Sequence, residues 1–385
     1  MQKRILVFVP EFPVVTETFI ARELSALEEL KRFKITILAL KHGRGQLPEN
    51  LTEITRFHKL NIFDILMGIG LILVKPAKAL KMFKTIGFTR VYLFFKILGY
   101  SIVFAKYRPD FIYSHFLSSP STIALGVSIM LDVPLGISGH ARDVLEFPDI
   151  PAKKVKLARF IAICNKNAME RVKGENVHLV YHGLNDQELL TAEKVSKPPI
   201  PEILSIGRYV EKKGLEYLIR AAKELKDSGR EFTVNIIGVG PLTEKFKKLV
   251  EGLGLEKTVF LLGEFSFDEV RRYLHSASVY VQPAVDAPGG DSDGIPNTLI
   301  EAALVGVPIV ATGAGSIRDF LDDNNAILVT QKNSEEIAAG IAKLMDDSEL
   351  ATRLVEAAKA RAHEMFDEGR NIAQLAKLIE SGLRI

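Results

Sequence analysis

The segment richest in residues able to do chemistry is Asp291-Ser-Asp-Gly-Ile-Pro-Asn-Thr-Leu-Ile-Glu301-Ala. Pro296 suits the first turn of a helix running to about Val305. Its entry, Gly294-Ile-Pro-Asn297, would present backbone N–H groups and the positive end of the helix, an arrangement that favours an anion such as a diphosphate. Glu301 is the one charged residue between Gly294 and Ile317, and a carboxylate in so apolar a stretch is costly without a partner. It lies about one helical turn after Asn297 and can face the same ligand; the alternative is a glutamate that reaches solvent. A second segment, Ser205-Ile-Gly-Arg-Tyr-Val-Glu-Lys-Lys-Gly214, reads as a strand ending in Gly207 followed by Arg208, Lys213 and a new helix at Leu215. Two cations in a strand-to-helix loop suit a pyrophosphate leaving group, although any one Arg or Lys can equally be a surface cation. A third, Ile236-Ile-Gly-Val-Gly-Pro-Leu242, has glycines after a strand but lacks the third glycine and the acidic residue of a dinucleotide fingerprint.

The elements that would hold these loops follow from alternation. Short β-branched runs occur at 4–9, 34–40, 111–113, 134–138, 160–164 and 177–180, and again at 202–206, 233–237, 259–262, 279–281, 308–311 and 326–329. Amphipathic stretches separate most of them. Such βαβα order implies parallel sheets with helices on both faces, and twelve strands divide more naturally into two sheets than one. Prolines between Thr191 and Pro201 mark the break. The expected fold is therefore α/β, two doubly wound Rossmann-like domains. Residues 1–190 form the first and 191–361 the second, and a helix over about 362–385 packs back on the first. Two such domains facing each other would put the C-terminal strand ends on a shared cleft, where open α/β sheets bind ligands.

Composition narrows the class. The 385 residues are 47% hydrophobic and 25% charged with both signs mixed, which argues against disorder. The single cysteine, Cys164, precludes an internal disulfide and suits a cytoplasmic setting. Residues Met1–Pro10 read as a strand rather than a signal peptide. The longest uninterrupted apolar run, Ile65–Val74, is ten residues, against the roughly 20 needed to span a bilayer. The net charge of +3 conceals an asymmetry: residues 1–190 carry 26 Lys and Arg against 17 Asp and Glu, and the remainder 24 against 30. Ten basic residues and one acid, Asp64, lie between Arg56 and Arg108. Placed on a helix, Lys75–Ile86 puts Lys75, Lys78, Lys81 and Lys84 on one half of the wheel and Ala79, Leu80, Met82, Phe83 and Ile86 on the other. That is the layout of a helix lying on an anionic membrane, and also that of a helix packed on its own core with lysines in water.

The residues also carry a resemblance. Asp293 and Glu301 are separated by seven residues, as in the E-x7-E motif of retaining GT-B glycosyltransferases, and Gly294-Ile-Pro-Asn297 with Glu301-Ala-Ala-Leu-Val-Gly-Val-Pro308 resembles family four of these enzymes (glycosyl transferases group 1). Asp293 stands where a Glu is usual. The resemblance implies that Glu301 holds the nucleotide ribose. Asp293 and the following backbone, Gly294 to Thr298, would hold sugar hydroxyls and the donor, with Ile295 and Pro296 among them. Gly207, Arg208 and Lys213 match the family's G-R…K-G phosphate motif. Gly238 belongs to a turn that is mainly structural and touches the nucleotide, and Gly263 and Glu264 line the base pocket. Phe12-Pro-Val-Val-Thr-Glu-Thr-Phe-Ile20 resembles an F-P-x-x-S-E-T-F-I loop; Thr16 and Glu17 either contact donor phosphate or acceptor, or serve as N-cap and first-turn acid of the next helix. Ser138-Gly-His-Ala-Arg-Asp143 stands where the family has His-Gly-x-Asp, so that His140 would lie beside the transferred sugar and Asp143 would cap a helix or orient neighbours. His115, also after a strand, is a further cleft candidate.

What this implies is an enzyme, a retaining glycosyltransferase moving a hexose-type sugar from a nucleotide-sugar donor to an acceptor hydroxyl on a lipid-linked or cell-surface glycan. Catalysis would rest on positioning and on stabilising the leaving diphosphate by Arg208, Lys213 and the helix end at Asn297. Asp291-Ser-Asp293 spells the D-x-D metal motif of another transferase fold, but the E-x7-E setting outweighs it; no metal and no cofactor beyond the co-substrate is expected, and no nucleic acid partner. A nucleotide-sugar 2-epimerase of the same fold and a non-catalytic nucleotide-sugar binder are the rival readings. The expected location is the cytoplasm, peripheral on the inner face of the cell membrane.

Overall fold

The computed structural model describes residues 2–384 apart from 16, 88–89, 141–142, 145–151, 185–188, 190–196 and 289–290. The alternating pattern produces two parallel sheets in two compact units, Met1–Leu184 with Glu368–Ile385, and Asn185–Asp367.

In the first unit the strands are β1 (Lys3–Phe12), β2 (Phe33–His42), β3 (Thr55–Phe57), β4 (Phe111–His115), β5 (Leu135–Gly139), β6 (Phe160–Ile163) and β7 (Val177–Leu179), in the order β3-β2-β1-β4-β5-β6-β7. The order reverses between β1 and β4, the kind of switch point beside which doubly wound sheets bind ligands. The three-residue edge strand β3 is too short to leave a periodicity, and sequence reading passed over it. The helices are α1 (Thr18–Glu29), α2 (Glu49–Thr52), α3 (Ile62–Val74), α4 (Pro76–Ile86), α5 (Val91–Ala105) and α6 (Ser119–Leu131), followed by Ala152–Leu157 and Lys166–Arg171. One apolar layer joins Ile5, Val7 and Tyr113 to Leu24 and Leu27 of α1 and to Ile372, Leu375 and Ile379 of the helix Glu368–Leu383. The other joins Leu6, Phe8 and Ile112 to Met82 of α4, Phe104 of α5 and Val127 of α6.

In the basic stretch the core, one of the two expected settings, takes most of the apolar half of α4. Ala79 and Met82 of α4 are buried in the core, so the apolar half of that helix is mostly its packing face; Leu80, 52% exposed, is the exception. The exposed apolar element is α3. Its buried residues are Asp64 and Gly68, while Phe63, Met67 and Leu73 are 73%, 65% and 86% exposed. Gly68 is the reason: a Cβ there would collide with the Leu98 backbone, so α3 and α5 touch along a glycine seam; Leu71 and Ile72 pack against the core while Phe63, Met67 and Leu73 point to solvent. Asn61 and Asp64 form a capping box at its start, and Asp64 also accepts from His58 at 2.8 Å. These bonds and the nearby Lys106 hold the Asp64 carboxyl below its ordinary range against the burial that would raise it. No helix among the described residues is long and apolar enough to cross a membrane.

The second unit holds β8 (Glu202–Ile206), β9 (Thr233–Ile237), β10 (Val259–Gly263), β11 (Val279–Gln282), β12 (Ile309–Thr312) and β13 (Ile327–Val329), ordered β10-β9-β8-β11-β12-β13. The reversal here lies between β8 and β11. Val234, Ile236, Val281 and Val310 pack with Leu218 and Ile219 of the helix Leu215–Asp227 and with Ile337 and Ile341 of Ser334–Asp346. The C-terminal helical stretch is two helices, Ser348–Phe366 in this unit and Glu368–Leu383 in the first, meeting at Asp367.

Candidate functional site

The loops leaving β8, β11 and β12 converge at the switch point of the second unit. β8 delivers Gly207 and an exposed Arg208. The chain then makes one turn of 3-10 helix, Glu211–Lys213, and reaches Gly214 at φ 63°. Only glycine serves there: the backbone is left-handed and a Cβ would collide with the Pro283 carbonyl. That close approach fixes the lysines against the loop after β11. Lys213 Nζ lies 2.6 Å from Asp293 Oδ2, and Lys212 Nζ lies 2.6 Å from Asp291 Oδ1 and 3.6 Å from Asp293 Oδ1. The Val285 N–H donates to the Lys212 carbonyl at 2.9 Å, a further tie between the two loops. Asp293 is thus joined to both lysines.

The helix Asn297–Val305 begins one residue later than expected, with Pro296 as its N-cap at φ −64° and ψ 132° rather than in its first turn. Gly294, Ile295, Pro296, Asn297 and Thr298 are all half-buried around that entry, and Glu301 is buried. Tyr280, at the heart of β11, donates to Thr298 Oγ1 at 2.9 Å and pins the helix start. Burial pushes the Tyr280 hydroxyl well up, and the Glu301 and Asp293 carboxylates push it the same way against the opposing bond to Thr298. A neutral tyrosine therefore sits within the field of both carboxylates of the seven-residue motif. Gly238 and Gly263 meet through a Gly238 N–H to Gly263 carbonyl bond of 2.7 Å. A Cβ at Gly238 would collide with the Gly207 carbonyl, so this turn packs closely on the loop after β8; Glu264 beyond it is exposed.

In the first unit, Glu17 is the N-cap residue of α1 without a side-chain cap bond, and Thr16 lies outside the described residues. His140 directly follows β5 and is buried. Its N–H donates to Asp143 Oδ1 at 2.7 Å, and Asp143 also accepts the Leu117 N–H, so Asp143 orients its neighbours. Burial lifts the Asp143 carboxyl to about 7 despite those bonds and the nearby Lys154. His140 stands in a row: Nε2 is 3.3 Å from His115 Nδ1, and Nδ1 is 3.3 Å from His182 Nε2. Glu23 of α1 closes the row, 3.7 Å from His115 and 3.6 Å from His182. Burial drives the His140 pKa well below the ordinary histidine range.

Lys212, Tyr280, Glu23 and His182 were missed by sequence reasoning. A signal existed for two of them: Lys212 adjoins Lys213, and His182 lies three residues past a strand, as cleft residues do.

Residues 186–361 match the family described as Glycosyl transferases group 1. The second unit is therefore similar to the group 1 glycosyl transferases. Over 200 residues it is 32% identical to the putative colanic acid biosynthesis glycosyltransferase WcaL of Escherichia coli, covering 51% of this chain and 49% of that protein. Over 179 residues it is 34% identical to the amylovoran biosynthesis glycosyltransferase AmsK of Erwinia amylovora, covering 46% and 44%. The chain spans about half the length of the curated relatives it matches. Among solved structures, Anabaena Alr3699/HepE, crystallised with UDP, superposes with a TM-score of 0.74 at 18% identity over 98% of this chain and 100% of that one. A glycosyltransferase of Rickettsia africae gives 0.74 at 14%, covering 100% and 99%. Likenesses at this identity speak for the fold, which is GT-B: two parallel α/β sheets with interleaved helices.

Proposed function

We propose that this protein is a glycosyltransferase that moves a hexose-type sugar from a nucleoside-diphosphate donor to an acceptor hydroxyl with retention at the anomeric carbon. The observation that carries the reading is the ion pair of Lys213 with Asp293, which ties the loop after β8, where Arg208 stands exposed, to the residues leading into the helix of the buried Glu301, within the stretch that matches group 1. Arg208, Lys213 and the N-terminus at Asn297 supply positive charge for the departing diphosphate. Asp293 holds Lys213 in place before the donor arrives and turns to a sugar hydroxyl once phosphate takes the lysine. Glu301 accepts from the ribose. No residue need act as a nucleophile: the acceptor hydroxyl attacks on the face the diphosphate leaves, a phosphate oxygen takes the proton, and the C–O bond to phosphate breaks as the new glycosidic bond forms. His140 is the residue of the first unit assigned to sugar or acceptor. No metal and no resident cofactor enters this chemistry.

The acceptor is proposed to be a lipid-linked saccharide on an anionic membrane. Two relatives are named for the biosynthesis of colanic acid and amylovoran. The exposed apolar face of α3, flanked by Lys59 and Lys75 within a stretch of ten basic residues and one acid, has the chemistry of a surface that enters the headgroup layer. Incubation with a panel of nucleotide sugars tests the whole reading. Nucleotide release that depends on added lipid extract supports it. Donor conversion without acceptor points to epimerisation, and binding without turnover to a non-catalytic binder; either result rejects transfer.

A further inference from the structure

Three adjacent strands of the first sheet, β5, β6 and β7, each deliver a metal-binding side chain at the C-terminal end. His140 follows β5, Cys164 follows β6, and His182 lies three residues past β7. Their ligand atoms all fall within 4.8 Å of one another. Two nitrogens held tetrahedrally by zinc, at about 2.0–2.1 Å each, are about 3.3 Å apart. His140 Nδ1 and His182 Nε2 are separated by 3.3 Å.

We propose that His140, Cys164 and His182 form a binding site for a divalent transition-metal ion of the zinc class. Two imidazoles and a thiolate select a borderline-soft ion over magnesium or calcium, and three protein ligands leave a fourth position open. The surroundings are those that metal-bound histidines need. Glu23 lies 3.6 Å from the far nitrogen of His182, and through His115 it also backs His140, whose other nitrogen is 3.3 Å from His115 Nδ1. A carboxylate behind a ligating imidazole fixes the ring and raises its basicity. Glu23 is itself held by the Tyr113 hydroxyl at 2.8 Å, and Asn165 Nδ2 donates to Cys164 Sγ at 3.5 Å, a bond that favours the thiolate. Access exists, because the His182 side chain is 18% exposed and Cys164 is only partly buried.

Occupancy would take His140 away from the sugar, so the ion regulates rather than serves transfer; that consequence alone rests on the function proposed above. Binding itself is tested without any donor. Because Cys164 is the one cysteine of the chain, a thiolate-to-cobalt charge-transfer band can report only on this site. Titration of the metal-free full chain with Co²⁺ should give that band together with tetrahedral visible absorption at one ion per chain, and Zn²⁺ should displace it. Cys164→Ser should abolish the charge-transfer band. Glu23→Gln, which touches no metal, should weaken Zn²⁺ by about 10–100-fold. A folded wild-type protein that shows no such band, or a spectrum that survives in Cys164→Ser, overturns the site. Unaltered Zn²⁺ affinity in folded Glu23→Gln would overturn the assigned carboxylate support. A Zn²⁺-bound protein that transfers sugar as fast as the metal-free one would overturn the regulatory role alone.

Discussion

Replacing Phe63 and Leu73 of α3 by Gln should detach the protein from membranes without unfolding it. The two side chains are 73% and 86% exposed, so their loss removes little from the core. Complete burial of a Phe or Leu is worth roughly 1.5–3 kcal/mol. Scaling by the exposed fractions, and allowing that insertion is partial, leaves about 2–4 kcal/mol for the pair, or roughly two orders of magnitude in partitioning. Basic residues near an anionic surface add about 1 kcal/mol each and make the binding sensitive to salt. Flotation with anionic and neutral vesicles, at low and high salt, measures both contributions. The wild type should float with anionic vesicles and be released by salt, and the double variant should stay in the dense fraction with an unchanged melting temperature. Equal binding of wild type to neutral and anionic vesicles, or undiminished binding of the folded double variant, would refute the reasoning. The same mutations would then be reporting on an apolar face that some other partner covers.

Glu301→Ala should weaken donor binding measured by calorimetry, while Glu301→Gln keeps part of it because an amide oxygen can still accept one ribose bond; equal affinities in all three proteins would place Glu301 outside the donor site. His140→Ala should lower transfer more than it weakens binding of the bare nucleotide, and a matching loss of nucleotide affinity would contradict its place beside sugar or acceptor. Asp64→Asn should cost about 2 kcal/mol near neutral pH through its lost charge-assisted bonds to His58 and the α3 cap. Because the folded Asp64 carboxyl titrates below its unfolded value, that stabilisation is present above the unfolded value and fades as pH falls through the folded one. Denaturant melts of wild type and variant should therefore converge in acid, and a constant difference across the carboxylate range would show that charge is not the cause. Transfer should survive a chelator, while loss with EDTA and rescue by Mg²⁺ or Mn²⁺ would give Asp291 and Asp293 a metal role instead.

Much of the fold was legible because buried parallel strands are written as short β-branched runs; Glu202–Ile206 and Thr233–Ile237 can be read from sequence to the residue. What escaped was set by tertiary contact. Periodicity makes α4 amphipathic but cannot say whether core or membrane takes the apolar half, and Met82 went to the core. In α3 the apolar residues run round the helix, so no pattern reveals that Gly68 and Asp64 face inward; the crossing with α5 at Gly68 decides it. At the candidate site, Arg208, Lys213 and Glu301 announce themselves by local spacing. The ion pairs of Asp291 and Asp293 with Lys212 and Lys213 span about 80 positions and exist because Gly214 brings the two loops together. The histidine–cysteine cluster is similarly distributed over three strands and has no spacing to recognise.

The central claim is that charge at the β8 switch-point end stabilises a departing diphosphate. Its most direct test is the rate of sugar transfer, followed as nucleotide release with the cognate donor and acceptor, in Arg208→Ala and Lys213→Ala. Each variant should remain folded and lose on the order of 10²–10³ in turnover, the usual cost of removing one preorganised charge stabiliser. Near-wild-type turnover in both folded variants would contradict the account.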